Sequence, residues 1–250
     1  MRVDCESVVQ AYDRDGYVLV PNVVDSDWVE RARAHIARLM REHPEVRPEH
    51  FHSSLAKRDP TWLELASDER LLDVAECFIG PNIALFGTHY ICKPPGDGQP
   101  VLWHQDGSYW PLEPMDVVTI WVAIDDVDTE NGCLRVIPES HRTHLTGLRS
   151  RTDHPNVLGS EIDMAVDDSR AQDCVLAAGG VEIHHPLTIH GSTANRSARW
   201  RRGLTIRYIP TTTRISGPSW WDEPNQAGCA FLLRGQAIPG VNHYLPWPTK

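Results

Sequence analysis

His104 and Asp106 stand two residues apart in the stretch Trp103-His104-Gln105-Asp106-Gly107. On extended backbone, side chains at i and i+2 point to the same side, so an imidazole nitrogen and a carboxylate oxygen can be aimed at one point. With thirteen histidines and thirty-four acidic residues in the chain, such a pair also arises by chance as a solvated loop pair. A third ligand from elsewhere is what would give it chemical meaning. Two histidines and one carboxylate on one face of an octahedron form the triad of non-haem iron(II) sites, which leaves positions open for a cosubstrate and oxygen.

The stretch IHHPLTIHGS supplies His184, His185 and His190. Strand parity puts His184 and His190 on one face and His185 on the other, without choosing between the first two. An iron centre of this kind commonly uses a dicarboxylic cosubstrate, whose far carboxylate calls for a buried arginine. Arg196, Arg199, Arg201 and Arg202 follow closely, and the alternating Leu204, Ile206 and Tyr208 behind them read as a core strand. One of these arginines is expected inside, the others in a solvated basic turn.

The elements that must position these groups can be read in outline. Residues 5–14 read as a short helix stopped at Gly16, and YVLVPNVV after it as a β-prone run. Asp25, Ser26 and Asp27 are capping residues for a helix to about Glu42, with Trp28, Ala32, Ile36 and Leu39 on one face and Pro44 beyond its end. A further helix from about Glu69 to Phe78 stops at Gly80-Pro81. Past Asn82, β-prone runs at 83–92, 117–124, 133–137, 174–176, 181–189 and 204–209 alternate with turn clusters such as PPGDG. Their uneven spacing and long connections point to a Greek-key sandwich or jelly roll. Residues 149–173 show no clear periodicity and read as a long functional connection.

A chain of 250 residues and 28.2 kDa can bury one large core, and a single domain is expected over 1–250. It comprises N-terminal helices at about 1–80, a β core at about 83–210 and a tail at 211–250. The formal charge of −10 repels a phosphate backbone, so nucleic acid is not an expected partner and an anionic ligand needs a local basic pocket. No apolar run is long enough to cross a bilayer, so no membrane partner is expected. The partner left is a small-molecule substrate. Cys5, Cys77, Cys92, Cys133, Cys174 and Cys229 show no C-x-x-C spacing and follow no signal peptide, so they are expected to be reduced thiols in a cytoplasmic protein.

The stretches WHQDGSYW, DDVDTENGCLRVIPESHR, HPLTIHGSTANRS and RRGLTIRY, in that order between about Glu76 and Tyr208, together resemble the phytanoyl-CoA dioxygenase family of iron(II)- and 2-oxoglutarate-dependent oxygenases. The resemblance implies a mainly β fold with flanking helices, its core a double-stranded β-helix (jelly roll, cupin-like). It implies Fe(II), 2-oxoglutarate and O2 as cofactor and cosubstrates, with His104, Asp106 and His190 as catalytic metal ligands. By the same resemblance, Arg201, eleven positions after His190, receives the C5 carboxylate of 2-oxoglutarate, assisted by Ser192. Trp121 in VVTIWVAI is expected to touch the cosubstrate, where the residue pattern alone gives a core aromatic. Some relatives add a lysine from the helix side, and His52 and Lys57 lie in that region. For the substrate pocket the candidates are Trp110 and His89, whose ordinary alternatives are a packed loop tryptophan and a structural histidine.

The implied reaction is hydroxylation of an unactivated C–H bond of a small metabolite, with 2-oxoglutarate split to succinate and carbon dioxide. Halogenating relatives carry Gly or Ala at the position of Asp106, so the intact carboxylate argues against halogenation. Desaturation, cyclisation and epimerisation remain within the same chemistry. A zinc hydrolase could use the same ligands around a metal-bound water, but it leaves the spacing from HGS to Arg201 unexplained. A catalytically silent jelly-roll binding protein leaves the intact ligand set unexplained. The overall acidity favours a substrate without coenzyme A.

Overall fold

Asp25 starts the longest helix by accepting the Trp28 backbone N–H at 3.0 Å, and α2 (Ser26–Glu42) buries Trp28, Ala32, Ile36 and Leu39 along one stripe. Burying each large apolar side chain contributes roughly 1.5–3 kcal/mol, so this stripe fixes the helix to the body of the protein. The structure, a computed structural model, describes residues 3–248. In it α2 packs on α3 (Thr61–Ala66), where the Trp28 indole N–H donates to the Leu65 carbonyl at 3.2 Å. On the same side, α1 (Cys5–Asp15) lies against α4 (Glu69–Ile79), and α4 covers the sheet beneath.

The sheet under the helices runs β1 (Tyr17–Val20), β11 (Val181–His184), β6 (Val118–Ala123), β13 (Gly203–Pro210), β3 (Ile83–Tyr90), β15 (Cys229–Arg234) and β16 (His243–Tyr244), with β2 (Phe51–His52) also on β3. A smaller sheet, β10 (Gln172–Cys174), β7 (Leu134–Val136), β12 (His190–Ser192) and β4 (Val101–His104), faces it. Two short antiparallel pairs stand apart from these sheets, β14 (Arg214–Ile215) with β5 (Leu112–Glu113) and β8 (Leu148–Ser150) with β9 (Ser160–Ile162). Period-two alternation assigns the faces. Along β13, Leu204, Ile206 and Tyr208 join the core under the helices, while Thr205 and Arg207 point into the space between the sheets. The fold is the mainly β jelly roll with flanking helices that the sequence implies.

Several elements depart from the sequence reading. Cys5 and Cys77 form a disulfide, against the expectation of six reduced thiols, because α1 and α4 pack side by side and bring their Cα atoms to 5.2 Å. Seventy-two residues separate the two in sequence, which leaves no local spacing to notice. The other four cysteines are buried and free. The run 181–189 is broken after His184, where Pro186 has no N–H for the ladder and Thr188 N–H closes a turn on the His185 carbonyl at 2.8 Å. Only Val181–His184 is strand, and the chain enters the opposite sheet at His190, just beyond the run. The connection 149–173 carries the β8–β9 pair, and the tail returns β15 to the main sheet beside β3. Among the described residues no helix is long and apolar enough to cross a membrane.

Candidate metal and cosubstrate site

β4 and β12 are antiparallel neighbours, and their register sets His104 directly opposite His190. Gln105 continues β4 in extended conformation (φ −113°, ψ 126°), so Asp106, at the start of a short turn, falls on the same side as His104. Gln105 points away and fixes the neighbouring loop, donating to the Leu187 carbonyl at 2.9 Å and accepting the Thr146 N–H at 2.8 Å. One donor atom from each of His104, Asp106 and His190 lies within 4.8 Å of the others, and all three residues are buried. Each histidine donates from Nδ1 to the carbonyl two residues before it, His104 to Leu102 at 2.8 Å and His190 to Thr188 at 2.9 Å. That contact fixes the tautomer and leaves both Nε2 lone pairs facing Asp106 Oδ1, at 3.5 and 3.9 Å.

The second oxygen of Asp106 is held from behind. Its Oδ2 lies 3.4 Å from His184 Nε2, 3.4 Å from the Thr119 hydroxyl and 4.0 Å from Arg207 Nη2. Burial alone would raise the Asp106 pKa, but the hydrogen bond from His184 and the Arg207 charge hold it well below the usual carboxylate range. His184 in turn meets Glu182 through Nδ1 at 2.7 Å. Burial opposes its charge, yet the two carboxylates raise its pKa to about 9. It is an imidazolium bridging two acids. His190 is pushed the other way by burial and by the charge of His184, which favours the neutral form a metal requires. The ambiguity between His184 and His190 is thereby separated by surroundings: both face the cavity, and only His190 has a free lone pair.

These groups line a cavity of about 350 Å³ between the two sheets. At one end Arg201 is buried, donating from Nε to the Gly132 carbonyl at 3.0 Å and from Nη1 to the Ile91 carbonyl at 3.1 Å. Burial lowers its pKa only to about 10, so it is still a cation at neutral pH. Its guanidinium carbon sits 4.8 Å from the centre of the Trp121 ring. The ring has room because residue 203 is glycine, where a Cβ would overlap the indole. Ser192 accepts from Lys93 Nζ at 2.7 Å, which leaves the hydroxyl proton free to donate into the cavity. The Trp121 indole N–H and the Thr205 hydroxyl are buried without partners. Such orphaned donors beside a buried arginine fit an anionic, acceptor-rich ligand.

The remaining sequence candidates divide. Trp110 and His89 both line the cavity. His89 also makes a structural contact to the Glu49 carbonyl through Nε2 at 2.9 Å, and burial with the nearby Arg207 charge lowers its pKa to about 3. His52 lines the cavity beside Trp220, whereas Lys57 hydrogen-bonds the Asp222 carbonyl and is absent from the lining. Of the basic cluster, Arg199 pairs with Asp128 and Glu130, Arg202 with Asp125, and Arg196 is exposed. Trp220 belongs to the tail that is expected from the sequence to shape the pocket mouth, and it lines the cavity. Lys93, Glu182 and Arg207 escaped the sequence reading, although Glu182 stands two residues before His184 on the same strand.

Fold and site together define a jelly-roll protein with a two-histidine, one-carboxylate face that fits iron and a basic pocket that fits a dicarboxylate. Residues 12–203 match the family model described as Phytanoyl-CoA dioxygenase (PhyH), and the chain belongs to that family. It is 30% identical over 228 residues to the peroxisomal phytanoyl-CoA dioxygenase of Mus musculus, covering 79% of this chain and 66% of that one. It is 33% identical over 153 residues to a probable alpha-ketoglutarate-dependent hypophosphite dioxygenase of Stutzerimonas stutzeri, covering 58% and 51%. The chain thus spans between half and just under two thirds of these relatives' lengths. Among solved structures, the epimerase SnoN in complex with Fe3+, alpha ketoglutarate and nogalamycin RO aligns with a TM-score of 0.70 at 25% identity, over 84% of this chain and 85% of that chain. The apo non-heme monooxygenase ThoJ shares the fold, with a TM-score of 0.77 at 23% identity over 96% and 87%.

Proposed function

We propose that this chain is an iron(II)- and 2-oxoglutarate-dependent dioxygenase that hydroxylates a small metabolite. The observation that carries the reading is the joining, in one cavity, of the His104, Asp106 and His190 face with the buried Arg201 cation. His104 and His190 would hold iron through Nε2 and Asp106 through Oδ1. Arg201 and the Ser192 hydroxyl would receive the far carboxylate of 2-oxoglutarate, and Trp121 would bound it. When bound, iron and 2-oxoglutarate supply oxygen activation and hydrogen abstraction from an unreactive C–H bond.

The protein's own part is binding, orientation and exclusion of water. Asp106 is kept anionic chiefly by His184, and its Oδ2 also accepts from the Thr119 hydroxyl, so Oδ1 is left for the metal position. The aromatic lining, including Trp110, Trp121 and Trp220, keeps the cavity dry around these charges. Hydroxylation follows if the substrate's carbon lies nearest; epimerisation, as the name of SnoN records for that enzyme, needs only a different placement of the same carbon. Residues 1–250 are taken as one domain, since β1 and the tail strand β15 belong to the same sheet as the cavity strands. We place the protein in the cytoplasm on the strength of four buried free thiols, with Cys5–Cys77 as the one pair open to reduction there.

The test is anaerobic addition of Fe(II) and 2-oxoglutarate, followed through the weak visible metal-to-ligand absorption band. Wild type is expected to show the band, and Asp106→Ala and His190→Ala to lose it. Arg201→Gln is expected to retain it with about ten- to a hundredfold weaker 2-oxoglutarate affinity, the cost of charge-assisted hydrogen bonds. A band that survives Asp106→Ala undiminished would refute the reading.

A further inference from the structure

The cavity holds a second arginine whose hydrogen-bonding groups the assignments above leave unused. Arg207, 6% exposed, has Nε and Nη1 buried without a partner, and its nearest acid, Asp106 Oδ2, is 4.0 Å from Nη2, beyond hydrogen-bond reach. Two indoles flank it, with the guanidinium carbon 5.4 Å from the centre of the Trp110 ring and 4.7 Å from that of Trp220. Trp220 arrives from the tail and lies over Gly87, where a Cβ would overlap its ring. It stacks on Phe86 at 6.1 Å, so its position is fixed by packing.

A guanidinium covered on its faces can be satisfied only through its N–H groups at the edge, by oxygen acceptors in or near its plane. Burying these donors unpaired is costly, and among the described residues the lining of this cavity offers no acid besides Asp106. Asp106 is already engaged by His184 and Thr119. Bound iron would add positive charge, so the cavity of a chain with a formal charge of −10 is locally cationic. Arg207 is also distinct from the proposed cosubstrate site, because Arg201 lies six residues earlier on the extended approach to β13. At about 3.3 Å per residue the two stand roughly 20 Å apart along the strand.

We propose that Arg207, clamped between Trp110 and Trp220, is the receptor for an oxyanion, a carboxylate or phosphate, carried by the primary substrate. The rest of such a substrate is compact and apolar or aromatic, since it must lie against indole walls in a cavity shared with 2-oxoglutarate. This assignment rests on the oxygenase reading for the word substrate; the anion site itself does not.

The test titrates phenylacetate, phenyl phosphate and uncharged phenylacetamide into the protein, following tryptophan fluorescence, first without metal and then with Fe(II) and 2-oxoglutarate under argon. Wild type is expected to bind one of the anionic probes at least tenfold more tightly than phenylacetamide, and the better of the two identifies the oxyanion. In the metal-free titration Arg207→Gln should abolish that preference and Arg207→Lys retain part of it. Trp220→Leu, a tail substitution that spares the sheet, should reduce the preference at least threefold and serves if the Arg207 variants fail to fold. Equal binding of charged and uncharged probes by wild type, or a preference that survives Arg207→Gln, overturns the proposal. So does a tenfold loss of 2-oxoglutarate affinity in Arg207→Gln, which would make Arg207 a cosubstrate residue. An absent band in wild type would instead count against the oxygenase reading, while anion preference is still read from the metal-free titration.

Discussion

Asp106 uses its two oxygens differently, and the difference comes from His184. Oδ1 is left to the Nε2 atoms of His104 and His190, while Oδ2 faces the imidazolium that also binds Glu182. Glu182 is fully buried, and its Oε1 has no hydrogen-bond partner. Removing His184 therefore strands a buried carboxylate. His184→Asn is expected to destabilise the protein by about 3–5 kcal/mol, measured by denaturant unfolding, as for other broken buried ion pairs. A double variant, His184→Asn with Glu182→Gln, should recover part of the loss. If the single variant is as stable as wild type, the bridge has no structural role. Parity alone leaves His184 and His190 as equal ligand candidates; what separates them is Glu182, two residues before His184 on the same strand, which engages that imidazole and leaves His190 as the proposed ligand.

At the scale of elements, β13 and the strands beside it place both ends of the cavity. Gly203 lets the Trp121 indole lie flat against the strand, under the Arg201 guanidinium. Gly203→Ala should displace that ring, costing about 1–3 kcal/mol of stability by overpacking and weakening 2-oxoglutarate binding in the same variant. Unchanged affinity with lowered stability would show that Trp121 is only a core aromatic. The helix layer makes a separate prediction. Asp59 joins α2 to α3, accepting from His35 at 2.9 Å, from the Thr61 N–H at 3.0 Å and from Arg38. Burial would raise its pKa, but these bonds outweigh burial and hold it well below the ordinary value. A depressed folded pKa contributes stability that is complete above the unfolded carboxylate value, about pH 4, and is lost as pH falls through the lower folded value. Asp59→Asn should accordingly be less stable than wild type at pH 6, with the gap narrowing towards pH 2, as read from urea midpoints. The helices α1, α2 and α4 and the strands β1, β3, β6, β7, β11 and β13 were legible because caps and periodicity are local. The α3 helix and the tail strand β15 were not, since short apolar runs such as CAFLLR acquire their state only from the strand they join.

For the molecule as a whole, the Cys5–Cys77 link closes a loop of 72 residues between the first helix and the one that covers the main sheet. Chain-entropy arguments give such a closure about 4 kcal/mol. Reduction with dithiothreitol, or Cys5→Ser, should lower the melting temperature, while the iron–2-oxoglutarate band stays at wild-type affinity because neither residue lines the central cavity. An unchanged melting temperature would mean that helix packing alone holds this face. The metal pair His104 and Asp106 could be read from two residues. Arg207 and Trp220 could not, because their meeting depends on a tail that leaves the barrel after β13 and returns over Gly87.

With the roles proposed for Arg201 and Arg207, the extended segment 201–207 would act as a molecular ruler. Backbone pitch fixes the spacing of the two anchoring positions, and the strands on either side of β13 prevent it from stretching. The reacting carbon of any substrate held at Arg207 would then be chosen by its distance from the anion, so lengthening a substrate by one methylene should move oxidation to the next carbon along.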